Sequence, residues 1–450
     1  MCAIIGIYNN SESSTLAYMG LYAQQHRGQE GAGIVAANGI SLSRHMGEGL
    51  VSEVFSDGEI FKGLKGNMAI GHTRYSTTGN SDAKNVGPLM FNLEDTEISI
   101  AHNGNLVNID HVRKKLHRAG SLFQTATDTE LIIHLLAREV GGTISERLSK
   151  ALNSVQGAYS LLVITPNEMI VARDPRGIRP LCMGKLNDSY IFASETCALD
   201  LLGATYIREV NPGEMIVLNG GSIKSFQFTE SLTPKHCIFE YIYFSRPDSK
   251  IFSENVDKIR RKFGKNLADE SPAPTADIVL SVPDSSNTCA LGYSSRSNIK
   301  YEIGLIRNHY VGRTFIFPDQ RLRDLSVRLK FNTVKGVLEG REVVVVDDSI
   351  VRGTTLRKLA KLLKESGVEK IHVRISSPPV KNPCFYGMNF PTHGELVANN
   401  NEVDEIRNII EVDSLSYMSL DALLNSVDQP DHYCTACFSG DYPLPIQGEE

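Results

Sequence analysis

A cysteine occupies position 2, between Met1 and the apolar run Ala3–Tyr8. If Met1 is removed, Cys2 carries a thiol and a free α-amine on the same residue. The amine can then accept the thiol proton, a task that a separate histidine performs in other cysteine nucleophiles. Cys2 is therefore a candidate nucleophile, although a cysteine that merely begins a buried strand would look the same in isolation.

A second group of reactive side chains lies in the run Asp347–Thr355, directly after the four valines Val343–Val346. Gly353 permits close approach of the backbone, and the following threonine hydroxyls and free helix amides suit a phosphate monoester. Two adjacent carboxylates repel each other unless a cation or a hydroxyl group is bound, and Mg²⁺ with a sugar diol would relieve that repulsion. The alternative is a solvated acidic turn before an ordinary helix.

The elements around this second group alternate between strands and helices. The pattern predicts a parallel α/β sheet, whose carboxyl edge is where ligands bind. After the Asp347–Thr355 run, an apolar stripe predicts a helix that Gly367 ends. The predicted strands are Ala276–Val282, Val343–Asp347 and Lys370–Ser376, and the stripe is Leu356, Leu359, Ala360 and Leu363.

The first half of the chain predicts short strands interrupted by two helices, and therefore two packed sheets with helical cover. The strands are predicted at 3–8, 33–37, 67–71, 97–101, 160–164, 168–172, 189–193 and 214–218. The helices are predicted at about 14–26, with Leu16, Met19 and Ala23 on one face, and at about 128–139, with Leu131, Leu135 and Val140 on the apolar side.

Length and composition limit the possible classes of protein. A chain of 450 residues predicts two domains, which we place at 2–232 and 233–450. A net charge of −6 argues against nucleic acid or anionic lipid as the main partner. No apolar stretch approaches the ~18 residues of a membrane span, and no secretory signal is visible, so we expect a cytoplasmic protein. Eight cysteines in such a compartment indicate metal binding, catalysis or burial.

The run Asp347–Thr355 behind a valine strand resembles the phosphoribosyl pyrophosphate (PRPP) motif of type I phosphoribosyltransferases. A second segment, Val282–Ser286, resembles the pyrophosphate-side loop of that family, and the basic stretch from Gln320 to Lys330 resembles its flexible loop. For single arginines of that stretch, a solvated basic face is the alternative. The resemblance implies one Mg²⁺ at Ser285, Asp347 and Asp348, and PRPP contacts from Asp347, Asp348, Ser349, Arg352, Gly353, Thr354, Thr355 and Lys330.

Four short segments of the first half combine glycine with charged or amide residues. Together with Cys2 they resemble class II glutamine amidotransferases, which are N-terminal-nucleophile hydrolases with an αββα sandwich fold. The four segments are His26–Gly31, Gly71–Gly79, Ala101–Leu106 and Thr127–Glu130.

This second resemblance implies a role for each matching residue. Thiolate attack on the glutamine amide creates an oxyanion, for which the Asn103 side chain and the Gly104 N–H are the matching donors. Arg74 offers a planar fork for the carboxylate of glutamine, and Asp128 offers a charge for its ammonium group. Arg27 is placed with the substrate-binding residues, where it supports Cys2 and the closed site.

Three histidines, His26, His72 and His102, lie in or beside these segments. We do not assign any of them as a general base, since the terminal amine is sufficient and a histidine beside a loop glycine is more often structural.

The two halves together resemble the amidophosphoribosyltransferase family over essentially the whole chain. The resemblance implies that ammonia from glutamine replaces the pyrophosphate of PRPP to form phosphoribosylamine, in the first committed step of purine synthesis. It further implies purine nucleotide inhibitors and a homotetramer. One departure is His309, which replaces an arginine common in the family. Supporting segments are Pro175–Leu181, Ser194–Leu199, Phe239–Ser249 and Gly304–Phe315.

The pair Cys434 and Cys437 forms a C-x-x-C motif, and together with Cys237 and Cys384 it makes a set of four soft ligands scattered over the second half. These residue types suit either Zn²⁺ or a [4Fe–4S] cluster. One branch of the family carries a cluster at matching positions, so the resemblance favours one [4Fe–4S] cluster with a structural role. The remaining cysteines, Cys182, Cys197 and Cys289, are predicted to be buried as small apolar residues.

Two other functions are compatible with parts of this pattern. One is a PRPP-sensing regulatory protein that has lost turnover, against which the intact Cys2, Asn103 and Asp347–Thr355 argue. The other is a different class II amidotransferase, such as a hexosamine-forming one, which would require a sugar-isomerase half in place of the PRPP motif.

Overall fold

The computed structural model describes residues 1–75, 83–94, 96–230, 232–308, 329–390 and 392–446. Within those ranges, no helix is both long and apolar enough to cross a membrane. His309 and the basic residues 320–328 lie outside the described residues.

The first half folds into strands and helices whose bounds are as follows. The strands are β1 (Ala3–Tyr8), β2 (Gly31–Ala37), β3 (Leu42–Glu48), β4 (Met68–Arg74), β5 (Leu89–Leu93), β6 (Thr96–Leu106), β7 (Gly157–Ile164), β8 (Glu168–Arg173), β9 (Cys182–Leu186), β10 (Ser189–Ala193), β11 (Thr205–Glu209), β12 (Glu214–Asn219) and β13 (Ser222–Gln227). The helices are α1 (Ser13–Ala23), α2 (Val51–Val54), α3 (Ile60–Gly63), α4 (Ile109–Arg118), α5 (Thr129–Arg138), α6 (Ile144–Leu152) and α7 (Thr196–Leu201).

These strands form two antiparallel sheets that pack face to face. In the described residues one sheet has the order β11-β9-β10-β1-β4-β2-β3 and the other β13-β12-β8-β7-β6-β5. Apolar side chains of both sheets, such as Ile4 and Leu162, share the layer between them. Helices α1 and α7 cover the outer face of the first sheet, and α5 and α6 cover that of the second. The predicted αββα sandwich is confirmed.

The predicted apolar faces of the two first-half helices were partly wrong. In α1 the side chains of Ala17 and Leu21 are fully buried, whereas Met19 is 38% exposed. A Cβ at Gly20 would lie 1.9 Å from a methyl group of Ile5, so the helix face against the sheet carries Ala17, Gly20 and Leu21. Val140 is 87% exposed because α5 already ends at Arg138.

The second half continues with the following elements. The strands are β14 (His236–Cys237), β15 (Lys250–Ile251), β16 (Glu254–Asn255), β17 (Ile278–Ser281), β18 (Lys300–Tyr301), β19 (Leu305–Arg307), β20 (Phe331–Thr333), β21 (Glu342–Asp347), β22 (Lys370–Ile375), β23 (Ser414–Tyr417) and β24 (Tyr433–Cys434). The helices are α8 (Val256–Glu270), α9 (Asn287–Ser297), α10 (Lys335–Leu338), α11 (Thr354–Glu365), α12 (Val397–Asn400), α13 (Val403–Ile410), α14 (Leu420–Leu424) and α15 (Ala436–Ser439), and a π-helical turn spans Glu240–Phe244.

A parallel sheet with the order β18-β17-β21-β22-β23 forms the centre of this half in the described residues. The valines of β21 alternate between two apolar layers: Val343 and Val345 pack with residues of α11, and Val344 and Val346 with residues of α8 and α9. A strand buried on both faces explains its run of β-branched residues. The predicted parallel sheet is confirmed.

The apolar core on the α8 side of this sheet extends into the first half of the chain. Met1, Ala158 and Ile178 pack in the same cluster as Phe239 and Phe263. The two halves therefore share buried contacts, and the domain boundary at residue 232 stays a prediction.

Candidate active sites

Cys2 immediately precedes β1, the middle strand of the first sheet, which pairs with β4. Ala3 is opposite Thr73 in the register of the two strands, and its N–H donates to the Thr73 hydroxyl at 3.2 Å. The Cys2 thiol is half-buried and lies 3.8 Å from the carbonyl oxygen of Tyr75. The sandwich therefore fixes the Cys2 backbone and leaves its sulfur at the rim of a pocket.

That pocket brings together four residues predicted from the sequence, namely Cys2, Arg74, Gly104 and Asp128. They come from four different elements: the end of β1, β4, β6 and the residue before α5. His72 and His102 also line the pocket. A nucleophile, a cation and a carboxylate thus converge on one small polar cavity.

Asn103 and Gly104 are consecutive residues of β6. The Asn103 side chain is fully buried, and neither of its amide atoms has a hydrogen-bond partner among the described residues. A buried amide without partners is costly and therefore marks a place where a ligand atom is expected. Gly104 has φ +156°, and a Cβ there would lie 1.9 Å from the Ala158 carbonyl oxygen, so only glycine fits.

Asp128 is held in its ionised form. Its Oδ2 accepts from the Leu106 N–H at 2.9 Å, and its Oδ1 lies 3.5 Å from Nδ1 of His102. Burial works against the carboxylate charge, but His102 and the Leu106 amide outweigh it and hold the pKa of Asp128 below its ordinary value. A negative charge is therefore available for a substrate cation.

The pKa values of the two histidines of the pocket are shifted in opposite directions. Burial, together with Arg74 and His102, lowers the pKa of His72 to about 3, so its ring is neutral. Burial also disfavours the His102 cation, yet Asp128 raises the pKa of His102 above its ordinary value. His26 lies elsewhere, with Nε2 2.8 Å from Oε1 of Glu195.

Arg74 is buried at the end of β4. One guanidinium nitrogen donates to the Asn85 carbonyl, and Nε lies 3.8 Å from Oε2 of Glu30. These contacts fix the plane of the guanidinium beside Cys2.

Arg27 lies behind Cys2. It is fully buried, and its Nε donates to the Cys2 carbonyl at 3.1 Å. Its two terminal nitrogens pair with Glu195 at 2.5 Å and with Glu240 at 2.8 Å, and these carboxylates account for a raised pKa of Arg27 despite the opposing effect of burial. The geometry favours support of the nucleophile over direct contact with substrate.

A second, larger cavity of about 670 Å³ lies at the carboxyl edge of the parallel sheet. Its walls carry every predicted PRPP residue, together with Ser285. The π-helical turn and two residues of the first half, His26 and Gln29, complete it. The PRPP residues on the walls are Asp347, Asp348, Ser349, Arg352, Gly353, Thr354, Thr355 and Lys330.

The two carboxylates at the end of β21 are surrounded by hydroxyl donors. Ser285 Oγ donates to Asp348 at 2.6 Å, Ser349 Oγ donates to Asp348 at 2.6 Å, and Ser286 Oγ donates to Asp347 at 3.2 Å. Burial raises the pKa of both carboxyl groups, and the charge of Asp348 raises that of Asp347 further. A cation at this edge would remove the repulsion between them.

The loop after the carboxylates opens α11. Gly353 stands at its N-cap with φ +74°, which exposes the first helix amides to the cavity. Arg352 is more than half exposed and pairs with Glu395 at 3.2 Å, while Lys330 Nζ lies 5.2 Å from the centre of the Phe331 ring. Arg352 and Lys330 both line the cavity, so with these contacts made, their positive charges remain within reach of a ligand there.

Arg260 on α8 also lines the second cavity and was missed in the sequence. It is 1% exposed, and burial lowers its pKa to about 10, although Asp348 acts in the opposite direction. No local motif distinguishes it from the other basic residues of α8.

Cys237, Cys384, Cys434 and Cys437 line a third cavity, whose other residues are mainly apolar and aromatic. Cys237 of β14 lies opposite Cys434 of the parallel strand β24. The Tyr386 N–H donates to Cys384 Sγ at 3.4 Å. All eight cysteines of the chain are free thiols, and Cys182, Cys197 and Cys289 are buried as predicted. Within the described ranges, no three His, Cys, Asp or Glu side chains are grouped closely enough to hold one metal ion.

Comparisons with known proteins agree with this architecture. A family model described as the glutamine amidotransferase domain matches residues 72–201. The fold therefore defines a glutamine amidotransferase joined to a phosphoribosyltransferase domain. The amidophosphoribosyltransferase of Bacillus subtilis is 49% identical over 451 residues, which cover 99% of this chain and 94% of that protein. A chloroplastic amidophosphoribosyltransferase of Arabidopsis thaliana is 48% identical over 98% of this chain and 79% of its own length.

Two solved structures match the whole chain. One, described as the allosteric regulatory enzyme of purine biosynthesis, has a TM-score of 0.95 at 48% identity and covers 100% of this chain and 97% of that one. The other is glutamine PRPP amidotransferase from B. subtilis complexed with ADP and GMP, with a TM-score of 0.94 at 48% identity, covering 100% and 98%. This chain belongs to the amidophosphoribosyltransferase family. The predicted amidophosphoribosyltransferase activity is confirmed, and the alternative of a hexosamine-forming amidotransferase is ruled out.

Proposed function

We propose that Cys2 is the nucleophile that releases ammonia from glutamine, once everything before it in the chain has been removed. The thiol passes its proton to the α-amine, and the sulfur attacks the side-chain amide carbon. The amine then returns the proton to the leaving ammonia, which leaves a glutamyl thioester. Water hydrolyses the thioester to glutamate and restores the thiol.

Asn103 and Gly104 stabilise the oxyanion of this reaction. The observation that carries the proposal is the buried Asn103 amide, which has no protein partner in the described part of the chain and stands next to a glycine on the pocket wall. A donor held without a partner before the reaction need not be reoriented during it.

Arg74 and Asp128 bind the ends of the free amino acid. Both line the pocket that holds the Cys2 thiol, and they carry opposite charges, as the carboxylate and ammonium of glutamine require. The lowered pKa of Asp128 keeps its charge available at neutral pH. Arg27 supports Cys2 from behind through its carbonyl.

In the second cavity, ammonia attacks C1 of PRPP and pyrophosphate leaves. The amides at the start of α11 and the hydroxyls of Thr354 and Thr355 hold the 5′-phosphate, and Asp347 and Asp348 orient the ribose. Arg352 and Lys330 place positive charge on the cavity wall. Because protonated ammonia is no nucleophile, the chain must also exclude water from the path between the two cavities.

One Mg²⁺ ion fits the acidic end of this cavity. The donor set of Ser285, Asp347 and Asp348 is all oxygen, as Mg²⁺ prefers, and the two carboxyl groups have raised pKa values that a cation would reverse. When bound, the ion would neutralise charge on the leaving pyrophosphate.

A [4Fe–4S] cluster is the proposed occupant of the third cavity. Four free thiols, those of Cys237, Cys384, Cys434 and Cys437, line it, and the rest of its lining is mainly apolar and aromatic. Thiolate ligands suit either zinc or a cluster, and the resemblance to the cluster-bearing branch of the family favours the cluster. Its role would be to tie the C-terminal segment to β14.

Purine nucleotides are the proposed inhibitors, since the B. subtilis relative was solved with ADP and GMP. The first step of purine synthesis, a homotetramer and a cytoplasmic location complete the proposal. A regulatory protein without turnover has no observation in its favour.

The proposal is tested by incubating the purified protein with glutamine, PRPP and Mg²⁺ under anaerobic conditions. We expect glutamate and pyrophosphate in equal amounts, together with visible absorption and four iron and four sulfide per chain if the cluster is assembled. No PRPP-dependent glutamate release would contradict the enzyme activity, and a colourless, zinc-containing protein would contradict the cluster.

A further inference from the structure

The buried carboxylate of Glu130 holds the stretch of chain that leads into Asp128. Glu130 is the second residue of α5 and is 1% exposed. One of its oxygens accepts from the Gln124 N–H at 2.8 Å, and the other accepts from the Thr125 N–H at 2.7 Å. Charge-assisted hydrogen bonds of this kind are strong, and the start of the helix stabilises the negative charge further. Glu130 therefore fixes residues 124–128, which we call the 124–128 segment.

The 124–128 segment connects the two charged residues of the proposed glutamine site. Its last residue is Asp128 itself, and its Ala126 N–H donates to Asn85 Oδ1 at 3.1 Å. The Asn85 carbonyl in turn accepts from the Arg74 guanidinium. The segment thus joins the group proposed for the ammonium of glutamine to the group proposed for its carboxylate, and its position affects the spacing of the two charges.

Two hydroxyl groups of the same segment give Thr127 a fixed hydrogen-bonding role. The Thr125 hydroxyl donates to Glu130 at 2.8 Å, and its oxygen lies 2.9 Å from the Thr127 hydroxyl oxygen. A hydroxyl group has one proton, and that of Thr125 is given to the carboxylate. Because the Thr125 oxygen can then only accept, the Thr127 hydroxyl donates to it and keeps only lone pairs for another partner. Thr127 lines the pocket beside Asp128, where a lone pair suits an ammonium donor.

We propose that Glu130 is a positioning residue that makes this pocket selective for ligands with an α-ammonium group. It acts by holding Asp128 in place and by keeping the Thr127 hydroxyl as an acceptor for that ammonium. Glu130 lies outside the described lining of the pocket, and it therefore acts through its neighbours rather than on the substrate. A ligand without the ammonium leaves these buried polar groups unpaired and is discriminated against. This inference rests on the proposed function.

The primary test is E130Q, which keeps the size of the side chain but replaces one acceptor oxygen by an amide NH₂ group. Whichever way the new amide turns, one N–H of the 124–128 segment then faces another donor. We expect KM for glutamine, measured by glutamate release at saturating PRPP, to rise at least about tenfold while kcat falls less than about threefold, because the change weakens binding of the substrate. Pyrophosphate release driven by added ammonia, which bypasses Cys2, should stay within about twofold of wild type.

A selectivity measurement separates this role from a merely structural one. L-glutamate and glutarate, which differ only in the α-ammonium group, are used as competitive inhibitors against glutamine, with pyrophosphate release as the measured rate. In the wild type we expect glutamate to bind at least about tenfold more tightly than glutarate, as loss of a hydrogen bond to a charged group requires. In E130Q the ratio of the two inhibition constants should fall toward one. A general structural defect would weaken both inhibitors equally, and an unchanged ratio would overturn the inference.

The matched control is E146Q. Glu146 lies in the first turn of α6, and its carboxylate accepts from the Thr143 N–H at 2.9 Å, as that of Glu130 accepts from the Thr125 N–H. Glu146 is exposed and lies outside the described walls of the pocket. We expect E146Q to keep the wild-type KM for glutamine and the wild-type ratio of inhibition constants. A loss of the ratio in E146Q as large as that in E130Q would contradict a specific role of Glu130.

The hydroxyl contacts are tested with T125V, which removes the hydroxyl and keeps the branched shape of the side chain. T125V should raise KM for glutamine and lower the ratio of inhibition constants, and the double variant with E130Q should lower the ratio no further than the more severe single change. T143V, at the corresponding threonine before α6, is the control and should behave as wild type. Losses that multiply in the double variant would contradict a shared series of contacts. If E130Q does not fold, as judged by thermal unfolding, T125V carries the test.

The possible failures are distinguishable. A wild type that releases no glutamate, or that binds glutarate as tightly as glutamate, would contradict the proposed glutamine site and the inference with it. A normal wild type combined with an E130Q that keeps its KM and its ratio of inhibition constants would contradict the role of Glu130 alone.

Discussion

The Asn105 side-chain amide donates a 2.9 Å hydrogen bond to the backbone carbonyl of Phe385. Asn105 follows Asn103 and Gly104, the proposed oxyanion residues of β6, and Phe385 follows Cys384 in the second half. The segment 384–387 thus packs on the strand that carries them: a Cβ on Gly387 would lie 3.3 Å from the Gly104 carbonyl and 3.2 Å from Arg179. The cysteine-lined cavity and the proposed oxyanion residues are therefore neighbours.

Gly387→Ala should impair the glutaminase without impairing phosphoribosyl transfer. Gly387 has φ +108°, which side chains rarely adopt, and the added methyl group presses on Gly104. We expect the glutamine-dependent kcat to fall about tenfold or more, with the ammonia-dependent rate retained. Gly394→Ala, where nothing lies within 4 Å of the new Cβ, is the control. Equal activity of the two variants would show that this contact does not position Gly104 for the reaction.

Asn103→Ala should lower the glutamine-dependent kcat by about 10²–10³ with a smaller change in KM, because the lost donor acts mainly on the oxyanion. Steady-state kinetics of glutamate release measures both constants. Asn153→Ala, at an exposed residue after α6, should leave them unchanged. A variant of Asn103 with normal kcat would remove this residue from the oxyanion site.

Asp347→Asn should stabilise the ligand-free protein while it weakens catalysis. The change removes a carboxylate whose pKa is raised by burial and by the charge of the adjacent Asp348. We expect a higher Tm without ligand and a loss of about 100-fold or more in ammonia-dependent pyrophosphate release. Asp404→Asn, on the exposed side of α13, should change neither. A lower Tm for D347N would mean that the pair is not repulsive in the absence of ligand.

The lowered pKa of His72 predicts how the free energy of unfolding depends on pH. The pKa of His72 is lowered to about 3 in the folded protein. Between pH 6.5 and 3 the His72 ring is therefore protonated in the unfolded chain but neutral in the folded chain. His72 therefore does not lower the free energy of unfolding above pH 6.5. As the pH falls below 6.5, the free energy of unfolding decreases, by about 2 kcal/mol at pH 5. His72→Asn should therefore show a smaller drop in Tm between pH 7 and pH 5 than wild type. An unchanged pH slope would contradict a neutral buried His72.

Local patterns in the sequence predicted the sheets and the ligand-binding loops. The four valines of β21 and the Asp347–Thr355 run carry their signal in consecutive residues, and the structure places them at the carboxyl edge of the parallel sheet as expected. The helix faces were less predictable. In α1 the close approach of Gly20 to Ile5 turns Ala17 and Leu21 into the core and leaves Met19, predicted on the apolar face, 38% exposed.

The residues missed in the sequence are those that act through distant contacts. Glu240 and Arg260 lie in ordinary helical sequence, and their partners, Arg27 and Ser285, are up to 213 positions away. The packing of Gly387 on Gly104 is likewise invisible without the fold. Contacts between residues that are distant in the chain, rather than residue type, decide these roles.

The central claim is that Cys2, with its own amine, is the glutaminase nucleophile. It is tested most directly by treating fully active protein with a diazoketone analogue of glutamine and mapping the modified peptide by mass spectrometry. The account predicts one label per inactivated chain, on the sulfur of a Cys2 that is itself the first residue. A label on another cysteine, or full glutamine-dependent activity in protein that retains Met1, would contradict it.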